Sequence, residues 1–176
     1  MKVDITISRI YSSPEHHYFT REKFDIGTAP MFEHDSVELE PDRGIKGDRF
    51  ELSRYQITFI SEEVMKEVCK SLDLEYKPSL FRRNIVISGI NLNQLIAKRF
   101  VIDGVEFKGI EHCAPCTWMN AVMKKGAYQL LVGRGGLRAK VTKGGFLKRG
   151  TNTLITEYDI ELLDPLQALK RPNIPH

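Results

Sequence analysis

Phe100-Val101-Ile102-Asp103-Gly104-Val105-Glu106-Phe107 constrains the fold of this chain more than any other stretch. Asp-Gly supplies the positive φ angles of a tight primed turn, and both flanks are β-branched or aromatic, so the segment predicts a β-hairpin. Shorter runs of the same kind recur. Val3, Ile5 and Ile7 alternate with polar residues, as do Val37 and Leu39 within residues 36–40. Residues 55–60, 84–87, 137–142 and 151–156 are further strand candidates, punctuated by Pro41-Asp42-Arg43-Gly44, by Gly89 and by Gly144-Gly145. Helical period is scarcer. Ser61 predicts an N-cap, with Glu62 and Glu63 in the first turn and Val64, Met65, Val68, Cys69 and Leu72 forming one apolar stripe, hence a helix over 62–72. Thr117 predicts the cap of a second helix through Lys125, with Gly126 just beyond its end. Residues 11–35 show no period and read as a long irregular excursion. Pro165, Pro172 and Pro175 mark a sparsely packed tail over residues 165–176. Many short strands with two or three short helices predict one mainly β domain over residues 1–164, built as a closed or partly open β-barrel.

The 176 residues suffice for such a domain without staples, since a chain of this size buries roughly 70% of its unfolded surface. The first residues carry no apolar leader, and no run approaches the ~18 apolar residues of a membrane span. A cytoplasmic location is therefore the expectation. In a reducing compartment a Cys-x-x-Cys pair is catalytic or metal-binding more often than a structural disulfide.

That pair is Cys113-Ala114-Pro115-Cys116. Structural zinc would require two more ligands, and the spacing of His16, His17 and His34 is not diagnostic. A thioredoxin-like couple would require a βαβ setting, whereas the surroundings read as hairpins. Two buried, inert thiols are the plain alternative. Cys116 departs from it by its position. Beside the start of a helix, the unpaired N–H groups and the positive end of the dipole would favour a thiolate, the form that attacks or ligates metal. Basic residues follow at once. From Glu111 to Glu157 no acid intervenes, while Lys124, Lys125, Arg134, Arg138, Lys140, Lys143, Lys148 and Arg149 do. Such a field suits an anionic ligand. Nucleic acid is a poor candidate, because Trp118 is the only tryptophan and aromatic residues are sparse among the basic ones.

Three further motifs have plain readings when taken singly. Gly44-Ile45-Lys46-Gly47-Asp48-Arg49 is a charged turn or a close approach to a ligand. Arg82-Arg83-Asn84 abuts a buried strand and could aim a guanidinium at a phosphate or carboxylate. Gly133-Arg134-Gly135-Gly136-Leu137-Arg138 could form a backbone nest for an anion.

Taken in order, these elements resemble the MOSC domain, the C-terminal module of molybdenum cofactor sulfurases that also occurs as small free-standing proteins. The match runs from Gly44–Arg49 through Arg83-Asn84-Ile85-Val86, Glu111 with Cys113–Cys116, and Gly133–Leu137, covering residues 36–156. Residues 11–35 do not match the family, and the Gly-Asp that often follows the glycine-rich stretch is Gly150-Thr151 here. The resemblance implies a β-rich barrel that binds a molybdenum–molybdopterin cofactor or passes sulfur to it. Cys116 aligns with the family's characteristic cysteine, the sulfur carrier or molybdenum ligand, and Cys113 becomes a candidate resolving thiol. Arg83, Asn84, Arg134 and Arg138 are the expected phosphate or pterin contacts, with Lys46 and Asp48 behind them. A cysteine desulfurase or an electron-transfer protein acting in trans would be the partner. The alternative implied activity is molybdenum-dependent reduction of small N-hydroxylated compounds. Molybdopterin's phosphate suits the basic segment, and molybdenum accepts a soft thiolate.

Overall fold

The structure, a computed structural model, describes residues 1–16 and 27–170. Its strands are β1 (Lys2–Ser12), β2 (Phe32–His34), β3 (Ser36–Leu39), β4 (Ile57–Ser61), β5 (Ile85–Ser88), β6 (Arg99–Ile102), β7 (Val105–His112), β8 (Leu137–Lys143), β9 (Gly145–Lys148) and β10 (Gly150–Ile155). Among the described residues three α-helices accompany them: α1 (Glu62–Ser71), α2 (Met119–Val122) and α3 (Ala127–Leu131). Seven strands close a barrel in the order β1-β10-β6-β7-β8-β4-β5 and back to β1. All pairs are antiparallel except β4–β5, whose parallel pairing is made by the crossover through α1. β2 extends β1 beyond the ring, and β3 and β9 form a separate ribbon.

The hairpin forms as predicted. Asp103 (φ 52) and Gly104 (φ 80) both take positive angles between β6 and β7. Inward Phe100 and Phe107 of these strands stack on one another and meet Phe59 of β4 edge-on, with ring centroids 5.3 to 5.8 Å apart. All three are buried, each stabilising the fold by roughly 1.5–3 kcal/mol. Outside the ring, Val64, Met65 and Val68 of α1 cover Ile60, Phe81 and Val86 in a second cluster. The α1 cap is the expected one, with Val64 N–H donating to Ser61 Oγ (3.2 Å).

Four expectations change. First, β1 continues to Ser12, and β2 lies within what read as an irregular stretch. A bulge between Ile7 and Arg9 shifts the register against β5, so the alternation breaks while the strand goes on. Second, β9 begins inside Gly144-Gly145, which read only as a separator. Third, the helix expected from Thr117 to Lys125 is one short turn, α2, capped by Trp118 without a side-chain hydrogen bond. The carboxamide oxygen of Asn120 accepts from the N–H groups of Gly126 (3.2 Å) and Tyr128 (2.9 Å), so the chain reverses and opens α3 with Gly126 at its start. Fourth, the tail is tied down as far as it is described. Leu169 N–H donates to Gly133 O (2.8 Å), and Asn91 Nδ2 donates to Asp164 O and Gln167 O. Pro172 and Pro175 lie outside the described residues. Among those residues, no helix is long and apolar enough to cross a membrane.

Candidate functional site

Alternation along β8 and β4 makes the site. Leu137 and Ala139 point into the barrel, so Arg138 between them points out. Phe59 and Ile57 point in, so Thr58, the cross-strand partner of Arg138, also points out. On this outer wall lies a cleft of about 330 Å³. Arg49, Arg82, Arg83 and Arg138 line it, together with Cys113, Cys116, His16, Phe50, Tyr55 and Trp118.

Side chains from three segments build the arginine cluster, with Arg49 and Arg82 buried and Arg83 and Arg138 partly buried. Asp48 is sealed beneath it, accepting from the N–H groups of Ser13 (2.9 Å) and Phe50 (3.0 Å) and from Arg49 Nη1 (3.2 Å). Arg49 Nη2 in turn donates to Arg82 O (2.6 Å), and its guanidinium lies 4.5 Å from the Phe50 ring centroid. Burial lowers the Arg49 pKa, with Asp48 opposing that shift. Arg82, at a left-handed backbone (φ 52), donates to Ser13 Oγ (2.8 Å), Glu15 O (3.1 Å) and Ala29 O (3.1 Å). Burial, then the nearby Arg49 charge, bring its pKa down to about 10, still protonated at neutral pH. Arg83 Nε donates to Gly135 O (3.1 Å). Arg138 stacks on Tyr55 at 4.5 Å and pairs with Glu111 (2.8 Å). Burial opposes its charge, and Cys113, Glu111 and Tyr55 more than offset that, so its pKa rises. Its Nε is buried with no hydrogen-bond partner among the described residues, and the Cys113 side chain favours the guanidinium's charge.

The cysteine loop sits over the glycine-rich stretch, and close approach explains those glycines. A Cβ on Gly135 would lie 2.2 Å from Cys113 O, and one on Gly136 would lie 2.0 Å from Phe59 O. Gly135 N–H donates to His112 Nε2 (3.2 Å) and Arg134 N–H to Leu131 O (2.9 Å), so these two groups serve the fold rather than an anion nest. Cys113 is buried in the wall while Cys116 is exposed at its edge. α2 is too short to provide the strong dipole expected beside Cys116. Met119 N–H donates instead to Cys116 O (3.0 Å), which leaves the guanidiniums as the main positive charge in the cleft.

Of the residues expected from sequence, Cys113, Cys116, Arg83 and Arg138 meet in the cleft. Asn84 and Asp48 lie behind it. Asn84 Oδ1 accepts from Thr58 N–H and Thr58 Oγ1, and its Nδ2 donates to Tyr11 O, so its polar atoms join β1, β4 and β5. Lys46 is exposed and does not line the cleft. Arg134 faces the other way, donating to Leu130 O and Leu166 O and pairing with Glu67 (2.8 Å). The acid-free stretch is likewise no uniform field in space. Lys140 pairs with Asp42 and Arg149 with Glu33 and Asp35, acids brought in from distant sequence. Arg49 and Arg82 join the cleft beyond the cofactor contacts that the family resemblance implies. Their only signal was an arginine next to an aromatic or at the end of a buried strand. Among the described residues, no group of three His, Cys, Asp or Glu side chains is placed to hold a metal ion.

A closed seven-stranded barrel carries an exposed cysteine and an arginine-lined cleft on its outer wall, which defines a β-barrel domain with one candidate site. The family model of the MOSC domain matches residues 14–153, and the chain belongs to the MOSC domain family, known for binding molybdenum cofactor or transferring sulfur. The match includes residues 14–35, where the sequence alone showed no likeness. The fold is similar to the YuaD protein of Bacillus subtilis, with a TM-score of 0.69 at 15% identity over 90% of this chain and 99% of that one. It is also similar to YiiM of Geobacillus stearothermophilus (TM-score 0.64, 13% identity, 92% and 80% covered). YiiM of Escherichia coli gives a TM-score of 0.60 at 14% identity, with 96% and 75% covered. No curated protein matches the sequence significantly.

Proposed function

We propose that this protein binds a molybdenum–pterin cofactor in the arginine cleft, or carries sulfur to it, through Cys116. The observation that supports the reading most is one juxtaposition: an exposed thiol shares a cleft with four guanidiniums, one of which holds a buried, unpartnered Nε. The residues fit such a group. Arg138 and Arg83, with Arg49 and Arg82 behind them, would hold its phosphate, since planar guanidinium forks match phosphate oxygens. Tyr55, Phe50 and Trp118 offer apolar faces for a planar ring. Cys116 offers the soft sulfur that molybdenum accepts. Molybdenum, when bound, supplies two-electron redox chemistry and a site that takes up sulfur.

The chain's own step is sulfur loading. The Cys116 thiolate attacks the outer sulfur of a donor persulfide, such as that of a cysteine desulfurase acting in trans. The donor S–S bond breaks, a new S–S bond forms on Cys116, and the donor leaves as a thiolate, with no net change of redox state. The guanidiniums that line the same cleft suit an anionic sulfur species as ligand. The Cys113 thiol, which lines the same cleft, would be the resolving group, and a disulfide with Cys116 would need an external oxidant.

The test is direct. Protein purified from a molybdate-sufficient host is assayed for molybdenum and for oxidised pterin fluorescence, and then for persulfide after incubation with a desulfurase and cysteine. Wild-type protein is expected to retain cofactor or to load persulfide, and Cys116→Ser to lose whichever is seen. No molybdenum, no pterin and no difference between the two proteins would reject the reading. Turnover of an N-hydroxylated compound by cofactor-loaded protein with an external reductase would make it an oxidoreductase rather than a carrier.

A further inference from the structure

His16 takes no part in the reading above, yet the fold fixes it with unusual care. Two of the three residues before it, Ser13 and Glu15, are tied to the buried arginine network. Ser13 N–H donates to Asp48 Oδ1 (2.9 Å), Arg49 N–H donates to Ser13 O (2.7 Å), and Arg82 Nη2 reaches both Ser13 Oγ (2.8 Å) and Glu15 O (3.1 Å). Ser13 Oγ donates onward to Glu15 O (3.0 Å). The chain thus delivers the imidazole to the cleft wall, where its ring meets the edge of Phe50 at 5.0 Å. Phe50 carries Arg49 on one side and packs against Tyr55 at 5.6 Å, and Tyr55 carries Arg138. One imidazole therefore ends a stack that already holds two guanidiniums.

Its chemistry differs from everything else lining the cleft. Arginine stays charged, and tyrosine and cysteine ordinarily titrate above neutrality. Histidine changes charge between about pH 5 and 8. Among the described residues, the charged groups facing it are Arg49 and Asp48 from the turn after β3, Arg82 from the segment before β5, and Arg138 from β8. Arg83, Tyr55, Cys113 and Cys116 complete the titratable lining. Partial burial first, then Arg49, with Arg82 and Arg138 adding to it and Asp48 opposing, hold the imidazole pKa below its ordinary value. An anion seated among the same guanidiniums would offset the positive field that His16 feels.

We infer that His16 is a proton-linked ligand of the cleft, neutral when no anion is present and protonated when an anion seats among the arginines, to which it then adds a positive charge and a donor. The inference rests on reading the cleft as an anion site. By reciprocity, an anion that raises proton affinity at His16 binds more tightly as pH falls.

The experiment uses the full chain and sulfate, which keeps its charge over the range studied. The His16 ring resonance is titrated by NMR with and without sulfate, and sulfate affinity is measured across pH for wild type, H16Q and H16K. In wild type, sulfate is expected to move the His16 titration to higher pH and to bind about five- to tenfold more tightly at about pH 5.5 than at about pH 7.5. H16Q should show less than about a twofold change over the same range, and H16K at about pH 7.5 should match wild type at about pH 5.5. Thermal melts of both variants report whether they fold. Sulfate binding that leaves the His16 titration unmoved, or an unchanged pH dependence in H16Q, overturns the inference while the anion cleft stands. Failure of wild type to bind sulfate at any pH overturns both.

Discussion

Leu137 and Arg138 are neighbours on β8 and serve two regions with opposite demands. Leu137 is sealed in the barrel among Phe59, Phe107 and Ala139, where shape alone decides fit. Arg138, one residue on, lies over Tyr55 beside a buried thiol, with an unpartnered Nε. The interior spends apolar area on stability. The outer wall at β4–β8 concentrates like charge, which costs stability and is retained where a ligand can offset it. A single period-two strand builds both, so the cleft inherits its rigidity from the core behind it.

The separation of the two regions can be broken or sharpened by substitution. Phe107→Ala should have the largest effect, a loss of about 3–5 kcal/mol in urea unfolding, because a cavity opens in the three-ring cluster. A loss below about 1 kcal/mol would mean the interior is not packed as described. Gly135→Ala probes the seam between the regions, since its Cβ would drive against Cys113 O. It should cost about 1–3 kcal/mol and also change the rate at which iodoacetamide alkylates Cys116. An unaffected alkylation rate would uncouple the cysteine loop from the glycines beneath it. The smallest effect on stability, within about 1 kcal/mol, is expected for Arg138→Gln, read against Arg134→Gln. Arg138→Gln should weaken anion binding in the cleft about tenfold, one lost charge-assisted contact, while Arg134→Gln leaves binding unchanged. Equal losses in binding would return Arg134 to the site.

Much of the barrel was legible before any coordinates. The Asp103-Gly104 turn, the Ser61 cap and the alternation at Val3–Ile7 are local signals, and each formed where its local chemistry said it would. Misreadings arose where a distant partner decided. The Ile7–Arg9 bulge hid the second half of β1. Asn120 ended α2 early by capping α3, and β9 formed because β3 was there to pair with it.

For the site, residue types and spacing by themselves determined that Cys116 follows a strand and that the motifs fall in the order of one family; the resemblance then pointed to Arg83 and Arg138, and also to Arg134. Tertiary structure decided which cations share the cleft. It brought in Arg49, Arg82 and His16, turned Arg134 toward Glu67, and set Asp48 and Asn84 beneath the wall as supports. The physical reason is that charge acts through space. A run without acids along the chain becomes a paired surface once Asp42, Glu33 and Asp35 fold onto it, and only the closed barrel shows which guanidiniums are left facing a cavity.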